Sequence, residues 1–186
     1  MSSRLYPKLL GASWCDLDVA VRRLHGSGRM VRAVGVFQVR HGSNSLARAL
    51  ARLARLPAAG EAVDVRLQVT AREEGEKWQR AFAGHPLVSM QSNLSGRLLV
   101  ERIGVMELRF RLEVAGGALG YQTVSAALRL GSLRVPLPHL LSPCVTAWEK
   151  ASDNMDQIHV SVDVTFPLIG RLIAYDGVMT QVEAQR

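Results

Sequence analysis

The chain has 186 residues, of which 48% are hydrophobic and 21% charged, and it carries a net charge of +7. That composition excludes a disordered chain, and one domain of this length buries roughly two-thirds or more of its unfolded surface without staples. Two cysteines, Cys15 and Cys144, are too few and too far apart for a disulfide scaffold or a cysteine-built zinc site.

Lys8, Lys77 and Lys150 are the only lysines among 23 basic residues. The arginines are spread along the chain and aromatics are few, so nucleic acid is not an expected partner despite a pI near 10.2. No uncharged run approaches the ~18 residues of a spanning helix. Residues 1–8 are basic, but Leu9 to Ala12 is too short for a secretion-signal core, and bulky Trp14 precedes Cys15. A cytoplasmic protein is expected, folded as one domain over 1–186 with its core between about residues 9 and 180.

Residues 14–25 predict an amphipathic helix, with Trp14, Leu17, Val21 and Leu24 on one face and Gly26-Ser27-Gly28 as its end. Arg29 to Arg40 reads as a strand that turns at His41-Gly42, with Val31, Ala33, Phe37 and Val39 on one side. A second helix spans 43–56, capped by Ser43 and stopped by Pro57. Its leucines 46, 50, 53 and 56 form a stripe expected to face the core, with Arg48, Arg52 and Arg55 in solvent. That placement makes a membrane surface an unexpected partner.

Beyond Pro57 the period changes from helical to strand-like. Val63 to Arg72 alternates, Glu73-Glu74-Gly75-Glu76 turns, and Lys77 to Ala83 returns. Leu87 to Ser92 and Arg97 to Ile103 follow, divided at Asn93-Leu94-Ser95-Gly96. Met106 to Val114 alternates one for one without a break, which gives a strand one buried and one wet face. Gly116-Gly117 then turns into Leu119 to Leu130. After an irregular crossing at Pro136 and Pro138 come Val145 to Lys150, Ile158 to Phe166 and Arg171 to Met179, and a polar tail at 181–186 is expected to fray. The fold class is mainly β (α+β): about 9–10 strands with two helices in the first third. Such a sheet is too large to lie flat, so a strongly curved antiparallel sheet, half-barrel or barrel is expected, with a two-sheet sandwich as competitor. The second helix would plug one end or cover the open face.

No catalytic motif stands out. The unusual strand is Lys77 to Phe82, where Trp78, Arg80 and Phe82 share a face that should point inward. An inward arginine needs an acid or an anionic ligand, because an unpaired buried charge is costly. The last strand repeats the pattern, with Arg171 and Tyr175 on the side of Ile169 and Ile173, and Gly177 leaving room beside them. His159, Ser161 and Asp163 share a strand face, but serine lies between the other two, which is the wrong order for a proton relay. The glycine pairs lack the strand–turn–helix context of a phosphate loop, and the histidines are isolated, so neither cofactor nor metal is expected.

Several short patterns occur in order: Leu10-Gly11, Leu24-His25-Gly26, Leu56-Pro57, Trp78-x-Arg80-x-Phe82, Leu99-Val100-Glu101-Arg102-x-Gly104, Val135-Pro136-Leu137-Pro138, Pro143, and Pro167-Leu168-x-Gly170-x-Leu172-x-x-Tyr175-x-Gly177. Together, from about Leu9 to Met179, the chain resembles the bacterial family called domain of unknown function 4166. That family occurs alone or behind a dehydrogenase-like nucleotide-binding domain, and the resemblance implies no established activity and no catalytic residues. The leading expectation is a non-catalytic module that binds a lipid-like or anionic amphipathic small molecule through Trp78, Arg80, Phe82, Arg171 and Tyr175. An accessory role beside an NAD(P)-dependent oxidoreductase is the alternative. A hydrolase or isomerase using His159 or Asp163 comes third, and it requires those residues to face a cavity.

Overall fold

The computed structural model describes residues 5–26, 28–95, 97–154 and 156–185. The helical part is α1 (Leu5–Leu10), a 3-10 turn (Gly11–Asp16), α2 (Val19–Gly26) and, later, α3 (Ser45–Leu53) and a short 3-10 turn (His139–Leu141). The strands are β1 (Met30–His41), β2 (Gly60–Arg72), β3 (Gly75–Phe82), β4 (His85–Ser95), β5 (Leu98–Ile103), β6 (Met106–Ala115), β7 (Ala118–Leu130), β8 (Leu133–Pro136), β9 (Cys144–Ala151), β10 (Gln157–Phe166) and β11 (Gly170–Gln185).

All neighbouring strands are antiparallel, in the order β6-β5-β4-β3-β2-β1-β11-β10-β9-β7-β8, and β6 also pairs with β7. That last pairing closes ten strands into a barrel and leaves β8 as an extra strand outside it. Closure removes the sheet edges that an open arrangement would expose, and the two-sheet sandwich is excluded. The inner face carries the predicted alternation: Val31, Ala33, Phe37 and Val39 of β1 and Val65, Leu67 and Val69 of β2 are all buried.

The barrel has two unlike ends. At one, α1 and α2 form a floor, with Tyr6, Leu17, Val21 and Leu24 buried among inward side chains of the strands. Asp18 pins this floor: its backbone N–H donates to Gly117 O at 2.9 Å, and its Oδ2 accepts from Ala151 N at 2.9 Å. These bonds hold it to the β6–β7 and β9–β10 hairpins. They also break the single helix expected over 14–25, because Leu17 is extended and α2 starts only at Val19. The helix at Leu5–Leu10 carries no sequence pattern that predicted it.

At the other end lies α3, capped by Asn44, whose side chain accepts from Leu46 N at 2.8 Å, and not by Ser43. It ends at Leu53, before Pro57. Its packing reverses the expected stripe. Ala47 and Ala51 are buried, whereas Leu46 is 54% and Leu53 81% exposed. The chain is close-packed where it enters this end, since a side chain on Gly42 would run into the Arg171 carbonyl, with Ala47 at ordinary contact distance. The expected fraying of the tail also fails: β11 runs to Gln185, paired with Met30. The readings that fall on residues 1–4, Ser27, Gly96 and Arg186 lie outside the described residues.

Two features outside the cavity hold the barrel's shape. On the outer face, Glu107 of β6 is enclosed by Arg102, Arg109, Arg129 and Arg134, at 3.3, 3.3, 2.8 and 2.7 Å, leaving its side chain 1% exposed. The arginines come from β5, β6, β7 and β8, so one carboxylate ties the extra strand to the barrel. Burial alone would raise the Glu107 pKa, but hydrogen bonds from Arg134 and Arg129 lower it from 4.5 to about 2. On β1 and β11, Gly35 and Gly177 let the two strands approach closely. A Cβ on Gly177 would sit 2.6 Å from Phe37 Cγ, so this glycine makes room for Phe37.

Two outcomes follow from these features. Glu107 stays ionised in the folded chain while its unfolded counterpart takes up a proton, so stability on the order of 2–3 kcal/mol, present above pH 4.5, should be lost as pH falls toward 2. Urea unfolding across that range checks this, and Glu107→Gln should flatten the dependence. Gly177→Ala should destabilise by about 1–3 kcal/mol through overpacking, measured in the same way.

Candidate functional site

Inside the barrel is a cavity of about 630 Å³. Its wall is mostly aliphatic and aromatic, drawn from nearly every barrel strand and from α3. The exposed members of the lining, Leu53, Ala54, Gly104 and Val105, belong to the end of α3 with its C-cap and to the β5–β6 turn. The mouth is therefore at the α3 end. The inner limit is set by Leu24 of the floor and by Trp78 and Gln91.

β3 supplies the polar part of the wall. Its alternation sends Trp78, Arg80 and Phe82 inward, and all three line the cavity. The Arg80 guanidinium lies over the Trp78 ring, 4.8 Å from its centroid. It donates to Ser89 Oγ at 3.0 Å and lies 3.5 Å from Glu101 Oε1, while Ser89 Oγ donates to the same carboxylate oxygen at 2.5 Å. Arg80 thus already has an acid, across the barrel wall on β5. Burial lowers its pKa, but Glu101, joined by Tyr175, Tyr6 and Glu149, outweighs this and holds it above the ordinary value. An anion is consequently not required to neutralise it.

Tyr175 of β11 also lines the cavity, packed edge-on between Phe37 and Phe82 at centroid distances of 6.1 and 5.3 Å. Burial raises its hydroxyl above the ordinary pKa, against a smaller lowering by Arg80, so it remains a neutral donor and acceptor. It has no hydrogen-bond partner among the described residues.

Arg171 is not with them. Val164 pairs with Ile173 and Thr165 with Arg171, so Leu172 is an extra residue in β11. This bulge flips the parity of every residue before it. Arg171 accordingly points outward and grips Asp163 with two nitrogens, at 3.0 and 2.6 Å. Gly177 leaves no room for a ligand, because Phe37 occupies that space. His159 and Asp163 also sit on the outer face. His159 Nε2 is 2.9 Å from Asp176 Oδ1 and packs on Trp148, so the cavity that a hydrolase or isomerase reading requires is on the other side of the sheet.

A second polar group near the floor has no counterpart in the sequence reading. His25 Nε2 and Glu149 Oε2 are hydrogen-bonded at 2.6 Å, and the Tyr121 hydroxyl lies 3.2 Å from both Glu149 Oε1 and the Tyr6 hydroxyl. Tyr6 donates to Gln91 Oε1 at 2.8 Å. Burial, helped by neighbouring carboxylates, raises both tyrosine hydroxyls well above their ordinary value. A signal was available for the carboxylates: Glu149 follows Val145 and Ala147 at a spacing of two, and Glu101 follows Leu99. Among the described residues, no three His, Cys, Asp or Glu side chains come together as a metal site. None of the described helices is long and apolar enough to cross a membrane.

These features define a closed antiparallel β-barrel with an internal apolar cavity, open at one end and carrying a small polar group on its wall. The model of domain of unknown function 4166 matches residues 17–179, and the chain belongs to that family. No curated protein sequence matches it. Among solved structures, the crystal structure of Rv2717c from M. tuberculosis aligns over 90% of this chain and 100% of that one, at 10% identity and a TM-score of 0.45. At that distance the likeness carries no functional information.

The Arg80–Glu101 pair can be tested directly. Glu101→Gln alone should destabilise by about 3 kcal/mol, because it strands a buried charge, whereas Arg80→Met with Glu101→Leu should stay within about 1 kcal/mol of the parent. Equal losses in the single and double variants would show that the pair is not the source.

Proposed function

We propose that this barrel is a non-catalytic binding module for a small, largely apolar molecule that enters at the α3 end. The observation that carries this reading is the cavity itself. At about 630 Å³ it falls within the range of roughly 300–1,000 Å³ typical of small-molecule sites, and its wall is apolar apart from a few convergent polar groups. Its polar end would meet the Tyr175 hydroxyl and the remaining Arg80 N–H groups. The Glu101 carboxylate beside Arg80 favours a neutral hydrogen-bond acceptor, such as an ester, ketone or alcohol oxygen, over the anionic end expected from sequence.

Titration with a long-chain alcohol and with its matched carboxylate, followed by tryptophan fluorescence, tests the reading, since Trp78 lies on the cavity wall. The alcohol should bind saturably and more tightly than the carboxylate. Ala147→Trp fills the cavity from β9 and should weaken binding at least about tenfold, and Tyr175→Phe should weaken it by about three- to tenfold. Lack of saturable binding of either probe, or binding indifferent to Ala147→Trp, would overturn the proposal.

A further inference from the structure

We infer that the mouth end of the barrel docks on the surface of an anionic lipid bilayer. This surface stands independently of what the cavity holds. The inference begins with the reversed packing of α3. At about 100° per residue its side chains fall into three sectors. Ala47 and Ala51 face the barrel, Leu46, Leu50 and Leu53 lie on the mouth side, and Arg48 and Arg52 lie on the remaining side. Leu53 both lines the cavity and is almost fully exposed, so the leucine sector forms a lip of the opening.

The rest of the rim is built in the same way. Strand register puts the β5–β6, β7–β8 and β10–β11 turns at this end, since Ile103 pairs with Met106, Leu130 with Leu133 and Phe166 with Gly170. Each turn presents an exposed aliphatic side chain: Val105, then Leu130 and Leu133, then Leu168. The Arg129 N–H donates to the Val105 carbonyl at 2.7 Å, which joins two of these turns side by side. Apolar residues gathered around one opening are unlike the single exposed aliphatics that any surface carries.

Charge selects the occupant. Neither α3 nor the turn after it holds an acid, so Arg48, Arg52 and Arg55 are uncompensated there. On the opposite flank, Arg102, Arg109, Arg129 and Arg134 share the single carboxylate of Glu107. Other acids at this end are Glu61, Asp64 and Asp163, and Asp163 is held by Arg171. A surface of aliphatic tips flanked by arginines on both sides is complementary to a bilayer with anionic headgroups, where arginine meets phosphate and leucine enters the acyl boundary. A second copy of the chain would bring the same positive charge to the same place.

Cosedimentation of the full chain with unilamellar vesicles tests this. Vesicles of phosphatidylcholine with phosphatidylglycerol should bind it, and binding should fall with added salt or in pure phosphatidylcholine. Leu46→Gln with Leu53→Gln should lower partitioning at least about tenfold, and Arg48→Glu with Arg52→Glu at least as much. Arg72→Glu with Arg97→Glu makes the same charge change at the floor end and should have little effect. All six residues are exposed, so the fold should survive, and circular dichroism checks that it does. The inference is overturned if anionic vesicles are not bound, if both arginine pairs lose binding equally, or if the leucine pair has no effect. Dimerisation that the leucine variant abolishes would instead assign this face to a second copy.

Discussion

The constraint from which the rest follows is the pairing of β6 with β7. It joins the two ends of a long antiparallel sheet into a ring of ten strands. An eight-stranded ring is just wide enough for its own side chains to fill, and the diameter grows with strand number. Ten strands enclose more space than the inward side chains occupy. The hollow therefore comes from topology as much as from any choice of residue. What the residues decide is its character: apolar walls, a helical floor at one end and an opening at the other.

The interior also shows how a buried charge is tolerated. Arg80 has an aromatic face on one side and a carboxylate with a bridging serine on the other. Glu149 is met by a histidine and a tyrosine. Each acid has hydrogen-bond partners, as burial of charge in a low-dielectric site demands. This arrangement leaves the cavity wall nearly neutral and makes Tyr175 its one polar side chain with nothing bound to it among the described residues. On the outer face the balance is reversed, with four guanidinium groups around one carboxylate.

Much of the architecture was legible in alternation, because a barrel with a dry interior enforces period two on every strand. The inward placement of Trp78, Arg80 and Phe82 could be read from the same rule. It failed where the rule itself breaks. The bulge at Leu172 turned Arg171 outward, and nothing local in Gly170-Arg171-Leu172-Ile173 announces an extra residue. In α3 the leucines look like the core face, yet the face packed on the barrel rim is that of Ala47 and Ala51. Glu101 was invisible as a partner for Arg80 because the two lie on strands separated by β4, and single-strand patterns do not show which strands become neighbours around a ring. Glu149 was legible in principle, as a carboxylate on an apolar parity.

The order of strands has a further consequence, for how the chain reaches this state. Every barrel neighbour from β2 to β7 is joined by a short hairpin or loop, so those pairings form between segments close along the chain. β1 is different. One of its edges belongs to β2, but the other belongs to β11, with Met30 opposite Gln185. That seam closes a loop spanning most of the polypeptide, and the chain-entropy cost of such a closure is met only after the intervening strands are in place. During synthesis β1 is among the first strands made, and its second partner is the last. Until then it carries an open edge, with Val34 and Val36 on its outer face. Completion of the ring, and with it the existence of an inside, is therefore a late event in folding.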